Sequence, residues 1–253
     1  MIKFFRRIRQ QLLSENKFSK YLLYAIGEII LVVIGILIAL QINNWNAQQK
    51  EKEALMKTLS IIKNNIEDDI LMLDSLKSKR EKLIPLYKKE QLTFFNNTYD
   101  LETSMNAIYV FDVFNFKANQ SGFNTLEQSP YLALINGSNL HKLLLVRKSA
   151  IEYLYITENE TNTGVDNLET QLEHTFDMKM GYTIFMSAKE QQDAKITITD
   201  IDAFVKEVHN SVLYRNAITK ASIRDKTIIP QYDALIQLSK DAITEINKVT
   251  ESP

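Results

Sequence analysis

The sequence predicts an all-α fold, in which one N-terminal transmembrane helix continues into an elongated extracytoplasmic bundle of three long helices with minor irregular or β excursions. Three observations predict it. The 253 residues include only 6 glycines and 4 prolines, too few for the turns of a many-stranded fold. One long apolar run lies near the N-terminus. Elsewhere, apolar residues recur at spacings of three and four, as on one face of a helix.

The overall composition excludes several classes of protein and site. The 30 basic residues are balanced by 31 acidic ones, which argues against a basic nucleic-acid-binding protein. The chain has no cysteine, so disulfides and thiolate metal sites are excluded. Glycine is too scarce for a phosphate-cradling loop, and no dinucleotide-binding or nucleophile-elbow pattern occurs.

The apolar run from Tyr21 to Ile42 predicts a transmembrane helix. At 1.5 Å per residue it extends about 33 Å, enough for the hydrocarbon core of a bilayer. Tyr21 and Tyr24 at one end and Trp45 at the other are typical interfacial anchors. The run is too long for a cleaved signal peptide, so we predict a signal anchor over residues 21–45, the anchor segment.

The charges that flank the anchor segment predict its orientation. Six basic residues precede it: Lys3, Arg6, Arg7, Arg9, Lys17 and Lys20. The residues just after it carry both signs, so the positive-inside rule places residues 1–20 in the cytoplasm and residues 46–253 outside it. Apolar residues at helical spacing within residues 2–13 further predict a basic amphipathic helix on the cytoplasmic leaflet.

Glu28 is the one residue from Tyr21 to Gln49 that is charged at neutral pH. At 100° per residue, six others lie within about 40° of it. With Glu28 they form the Glu28 stripe: Tyr21, Tyr24, Val32, Gly35, Ala39 and Ile42. Gly35 and Ala39 are spaced as in helix pairs that approach closely, and Tyr24 is placed to hydrogen-bond the carboxyl group.

Three interpretations of the Glu28 stripe are open. In the first, Glu28 joins helices in a homo-oligomeric interface. In the second, Glu28 is a proton-relay carboxylate of an ion-driven membrane complex, and in the third it pairs with a basic residue of a different membrane protein.

The N-terminal part, residues 4–46, resembles a large family of uncharacterised bacterial envelope proteins. The resemblance lies in residues 5–17 (FRRIRQQLLSENK) and 24–46 (YAIGEIILVVIGILIALQINNWN), and more loosely in residues 121–129 (SGFNTLEQS) and the C-terminal helix. Ser129-Pro130 departs from the small residue and glycine that the family pattern leads us to expect. The resemblance implies a bacterial inner-membrane protein with a helical periplasmic part, and no chemistry.

Beyond the membrane, the apolar spacing predicts three long helices. Residues 47–94 form the first, with Arg80 as a polar interruption and Pro85 as a kink or an end. A second helix starts near Ser138, with Ser138 or Asn139 as its cap and Gly164 as a possible break. The last is capped at Thr199 or Asp200 and runs through residue 246, with a kink at Pro230. Between them, residues 109–116, 183–186 and 195–199 are β-prone.

No catalytic or metal site is predicted in this chain, and no cofactor. His141, His174 and His209 have no ligand at metal-binding spacing. The acidic run at Glu67, Asp68 and Asp69 fits a solvated helix face, because a Ca²⁺ loop needs glycine. The aromatic residues 109–116 are either core or a partner site, and core packing is favoured.

The residues therefore favour an envelope interaction or scaffold subunit that is not an enzyme. Its predicted partners are the lipid bilayer, further copies of the chain or another inner-membrane protein, with no nucleic acid; a small-molecule ligand is left open. One alternative is a subunit of an ion-driven inner-membrane complex in which Glu28 titrates. A second is a ligand sensor, which is weakened because about 20 residues are too few for a cytoplasmic output domain.

Overall fold

The computed structural model describes residues 18–251, with the side chains of Phe18, Lys20, Tyr21, Tyr24 and Ile184 excepted. Within these residues the structure is helical and contains no strand, so the all-α prediction is confirmed. The sequence left irregular or β excursions open for the β-prone stretches, and the structure shows short helices and irregular backbone there. Two compact units are distinguished, Met1–Met56 and Lys57–Pro253. The described part of the second unit, residues 57–251, is called the helical body below.

Helix α1 extends from Phe18 to Asn96 and includes Pro85 without ending there. A proline inside a helix removes one hydrogen bond and costs about 3 kcal/mol. Leu83 and Tyr87, on either side of it, are buried in the core. Burial of large side chains of this kind contributes about 2–3 kcal/mol each, which is enough for the helix to persist through the proline.

The segment after α1 is folded into short pieces. Helix α2 covers Leu101–Asn106, and the Asp100 carboxylate caps it by accepting from the Thr103 amide at 2.8 Å. A 3₁₀ helix over Ala107–Phe111 follows. Residues 112–120 have no regular structure, helix α3 covers Ser121–Glu127, and a second 3₁₀ helix covers Pro130–Leu134.

Helix α4 covers Asn139–Thr175. Of the two predicted caps, Ser138 is the one that the structure confirms, because its hydroxyl accepts from the His141 amide at 3.2 Å. Gly164 does not interrupt the helix: Val165 next to it is fully buried in the core, and this packing offsets the roughly 1 kcal/mol cost of a helical glycine.

The C-terminal part consists of two helices, where the sequence predicted one. After short helices α5 (Lys179–Tyr182), 3₁₀ (Thr183–Phe185) and α6 (Ala188–Asp193), helix α7 covers Ile198–His209 and helix α8 covers Val212–Glu251. The predicted caps Thr199 and Asp200 are wrong by two or three residues. Thr197 is the cap, and Asp200 completes a capping box with it. Pro230 lies inside α8 without ending it.

Side chains from α1, α4 and α8 share the core of the helical body. One cluster includes Leu76 of α1, Leu154 of α4 and Ile228 of α8. A second includes Tyr87, Val165 and Ile218 from the same three helices, together with Val110 of the first 3₁₀ helix. The segment between α1 and α4 therefore contributes to the core itself.

Gly122 in α3 lies so close to α1 that a side chain would not fit. A Cβ atom built on Gly122 would be 2.9 Å from Ile62 Cγ1 and 3.1 Å from the Ile62 backbone nitrogen. In the orientation that satisfies both of its polar atoms, the Asn65 carboxamide oxygen accepts from the Gly122 amide at 3.2 Å. This contact fixes α3 against α1.

We expect Gly122→Ala to destabilise the protein by about 1–3 kcal/mol, the usual cost of overpacking a core. Urea unfolding of the full chain in mild detergent, followed by circular dichroism, measures the change. Gly164→Ala is the matched control, because its Cβ would meet only the flexible end of Lys220. The control should be neutral or slightly stabilising; equal effects of the two variants would contradict the close contact.

Candidate functional site

The anchor segment is apolar and makes no core of its own. By length and composition, the described residues contain one helix able to cross a membrane, and its most apolar window has no buried residue. Val32, Ile42 and Trp45 are each more than half exposed. A Cβ built on Gly35 would meet no atom within 4 Å. The anchor segment thus presents its surface outward, which fits a membrane anchor.

Several residues of the predicted membrane site cannot be placed. Lys3, Arg6, Arg7, Arg9 and Lys17 lie outside the described residues, as do the predicted amphipathic helix and the side chains of Lys20, Tyr21 and Tyr24. The predicted hydrogen bond between Tyr24 and Glu28 therefore stays a prediction. Glu28 is half-buried and lies in α1 with Val32, Gly35, Ala39 and Ile42.

Four charged residues meet in the middle of the helical body and form the central charge cluster: Arg80, Glu158, Arg224 and Asp225. Each is 0–1% exposed. Arg80 Nη1 donates to Asp225 Oδ1 at 2.5 Å, and Arg224 Nε donates to the same oxygen at 3.1 Å. Arg80 Nη2 lies 3.8 Å from Glu158 Oε1. Two positive and two negative groups thus neutralise one another out of reach of water.

The central charge cluster also binds the backbone of the aromatic loop, residues 109–120. Arg224 Nη2 donates to the Val110 carbonyl at 3.2 Å, and Arg80 Nη2 donates to the Phe114 carbonyl at 2.6 Å. Glu158 Oε2 accepts from the Phe116 amide at 2.8 Å. These backbone groups have no helix or strand partner, so the charged side chains satisfy them.

The aromatic loop itself is divided between core and surface. Val110 and Phe116 are buried, whereas Tyr109 and Val113 are about half exposed. The core packing favoured from sequence therefore applies to part of the loop only.

Burial and hydrogen bonds together set the protonation of the central charge cluster. Burial raises the pKa of Glu158 above its usual value, although Tyr232, the Phe116 amide and Arg80 oppose the shift. Tyr232 donates a hydrogen bond to Glu158 Oε1. Burial acts to lower the pKa of Arg80, but Tyr232 and Asp225 outweigh it, so the guanidinium is held in its charged form.

A second buried ion pair corrects the prediction for the acidic run. Asp69 Oδ2 accepts from Arg147 Nη2 at 2.6 Å, and both side chains are below 10% exposed. Asp69 Oδ1 accepts from the Asn119 amide of the aromatic loop at 3.0 Å. Glu67 and Asp68 are exposed as predicted, but Asp69 belongs to the core because α1 turns it toward α4.

His209 is a buried residue with satisfied ring nitrogens. Its Nδ1 lies 3.0 Å from Glu90 Oε1, and its Nε2 lies 3.2 Å from the Thr98 carbonyl. The Ser104 hydroxyl donates to the same Glu90 oxygen at 2.9 Å. A hydrolase triad needs the histidine nitrogen remote from the carboxylate to face the serine, and here that nitrogen faces a carbonyl. The cluster joins α1, α2 and α7 and is not built for nucleophilic attack.

Within residues 18–251, no three His, Asp or Glu side chains converge in a way that could hold a metal ion. His141 and His174 lie outside the core, as half-buried and exposed residues of α4.

Of the central charge cluster, only Arg80 stands out in the sequence. Arg80 interrupts an apolar stripe in the sequence, and a charge at a core position of this kind is the signal that a buried partner exists. Glu158, Arg224 and Asp225 gave no such signal, because their helices also carry charges on exposed faces. Their convergence depends on contacts up to 145 residues apart.

Two family descriptions match the chain. A "Family of unknown function (DUF6090)" matches residues 28–167, and a family described as Rad33 matches residues 146–244. The first match covers Arg80, the aromatic loop and Glu158, and the second covers Glu158, Arg224 and Asp225. No curated protein and no solved structure matches the chain significantly.

We expect Arg80→Met to destabilise the protein by about 3–5 kcal/mol, because it leaves Asp225 and Glu158 buried without Arg80. It also removes the shorter of the two hydrogen bonds to the Phe114 carbonyl, which then keeps only the bond from Asn162 Nδ2 at 3.3 Å. Lys77→Met, one helical turn earlier, is the matched control. Lys77 pairs with Asp233 at 2.6 Å, but both side chains reach solvent, so its loss should cost less than about 1 kcal/mol. Thermal or urea unfolding of the full chain measures both, and equal costs would refute the role of Arg80.

Proposed function

The chain belongs to the family of unknown function DUF6090, which matches more than half of its length, and from this premise we propose that it is an interaction or scaffold subunit of the bacterial inner membrane. Residues 1–20 face the cytoplasm, residues 21–45 span the bilayer, and residues 46–253 form a periplasmic helical bundle. The bundle contacts partners in the envelope, and the protein acts without catalysis or cofactor. The spanning helix assembles with helices of further copies.

One observation carries this proposal: the contrast between the anchor segment and the helical body. The helical body buries its apolar side chains in its own core. From Ile29 to Trp45 every described residue of the anchor segment is exposed. An apolar helix whose side chains are exposed in this way is stable only in lipid or against other helices. The Glu28 stripe combines a carboxylate with two small residues, which favours a helix partner over lipid alone.

Gly35 offers the position at which a partner helix would approach most closely. It lies about 20° around the helix from Glu28 and one turn from Ala39. Gly27 offers a matched comparison, because it lies about 100° from Glu28 and its Cβ would also meet no atom within 4 Å.

We expect Gly35→Leu to weaken self-association of the full chain by about tenfold, or ~1.4 kcal/mol, because the added side chain separates the helices. Cross-linking of the full chain in bilayers at graded protein-to-lipid ratios measures it. Gly27→Leu should associate as the wild type does. If the wild-type chain is monomeric under these conditions, or if both variants associate equally well, the stripe is not a homo-oligomeric interface.

A second candidate function rests on Glu28, the one charged side chain of the span. In it the protein is a subunit of an ion-driven complex, and Glu28 exchanges a proton during its work. The two functions predict different effects of Glu28→Gln, which replaces the carboxylate by a neutral side chain of nearly the same shape.

We expect Glu28→Gln to preserve self-association under the scaffold function, because glutamine still forms hydrogen bonds between helices. The same cross-linking assay measures this. Under the ion-driven alternative, Glu28→Gln would also leave assembly intact but would abolish proton flux in vesicles that contain the native membrane complex. Loss of flux in these vesicles, with assembly unchanged, would therefore favour the second function.

A further inference from the structure

The helical body contains a cavity of about 440 Å³ at the end of its core where α1 ends. Its walls come from α2 and the 3₁₀ helix that follows, the C-terminal end of α4, the short helices between residues 179 and 185, and the α7–α8 junction. The volume lies in the range of about 300–1,000 Å³ that is typical of small-molecule sites. Nothing in the proposed scaffold function uses it.

The cavity is lined mainly by aliphatic and aromatic side chains. Leu172 and Val205 form buried parts of its wall. Three aromatic lining residues remain open to solvent: Tyr109 is 50% exposed, Tyr182 is 65% exposed and Phe185 is 72% exposed. Exposed aromatic rings around a concave apolar surface mark a place where an apolar body can displace water.

The charges in the lining have one sign only. Asp112, Glu169 and Glu173 line the cavity, and no Lys, Arg or His does so. Within the described part of the chain, none of these three carboxylates forms an ion pair. This distinguishes the cavity from the central charge cluster, where each carboxylate faces a guanidinium.

The pKa values of two carboxyl groups in the cavity reflect their burial and, for one of them, the excess of negative charge. Burial raises the pKa of Glu169, and the negative charges of Glu173, Asp166 and Asp112 raise it further. Burial also raises the pKa of Asp112, opposed by Arg224, which lies in the central charge cluster and pairs with Asp225. A cation placed at Glu169 would relieve this repulsion, whereas an anion would increase it.

We propose that this cavity binds an organic ammonium ion with an apolar body. The apolar body lies against the aliphatic and aromatic wall, and the ammonium group lies beside Glu169. Aromatic side chains at the mouth favour the same ligand, because a ring face attracts a cation. The charge of the lining selects the cation over a neutral or anionic molecule of equal shape.

Three probes of one shape and different charge test the proposal: phenylbutylammonium, phenylbutanol and phenylbutyrate. Binding to the full chain in lipid nanodiscs is measured by calorimetric titration, with empty nanodiscs as the blank. We expect the ammonium ion to bind about tenfold more tightly than the alcohol and the carboxylate not to bind measurably. Equal binding of the ammonium ion and the alcohol, or no binding of the ammonium ion, would overturn the proposal.

Variants of residues inside and outside the cavity test where the probes bind. Glu169→Gln removes the carboxylate beside which the ammonium group would lie. It should weaken ammonium binding about tenfold and leave binding of the alcohol unchanged. Glu160→Gln is the control, since Glu160 is exposed on the same helix outside the cavity. Tyr182→Ala should weaken both probes, whereas Tyr153→Ala, at a tyrosine of α4 that is 63% exposed, should weaken neither. Unchanged ammonium binding in Glu169→Gln and Tyr182→Ala would place the ligand elsewhere and overturn the assignment.

Discussion

The structure of the helical body depends on one constraint: an irregular segment lies against the core, and its backbone must still form hydrogen bonds. The aromatic loop has no helix or strand partner for several of its carbonyls and amides. Arg80, Arg224, Glu158 and Asp69 supply those partners from α1, α4 and α8. An unpaired backbone group in the core would cost about 1–3 kcal/mol. The buried charges are thus explained by the loop that they hold.

The same constraint shows which parts of the fold could be predicted from sequence. Apolar spacing predicts α1, α4 and much of α8, because each helix turns one face to a common core. Ser138 was predictable as a cap, since capping depends on the residues of a single turn. Asp69 was not predictable as a core residue. It looks like its exposed neighbours Glu67 and Asp68, and its partner Arg147 is 78 residues away.

Helix boundaries followed tertiary packing more than local signals. Pro85, Gly164 and Pro230 are the expected breakers, yet each lies inside a helix. The break that does occur falls at residues 210–211. There His209 is buried against Glu90 and Thr98, and the Ser211 hydroxyl accepts from the Tyr214 amide at 3.1 Å. The sequence predicts a single helix across this break, because the burial of His209 depends on Glu90 and Thr98, which lie 119 and 111 residues away.

The predicted membrane site and the cavity differ in what their residues do for folding. The side chains of the anchor segment from Ile29 to Trp45 are exposed, and a carboxylate such as Glu28 within an apolar span is a candidate for function. The cavity, in contrast, is built by residues that also complete the core, such as Leu172 and Tyr214. Its aromatic composition is therefore partly a folding requirement, and only the unbalanced carboxylates require a different explanation. For this reason the charge of a ligand, more than its apolar shape, decides whether the cavity is a binding site.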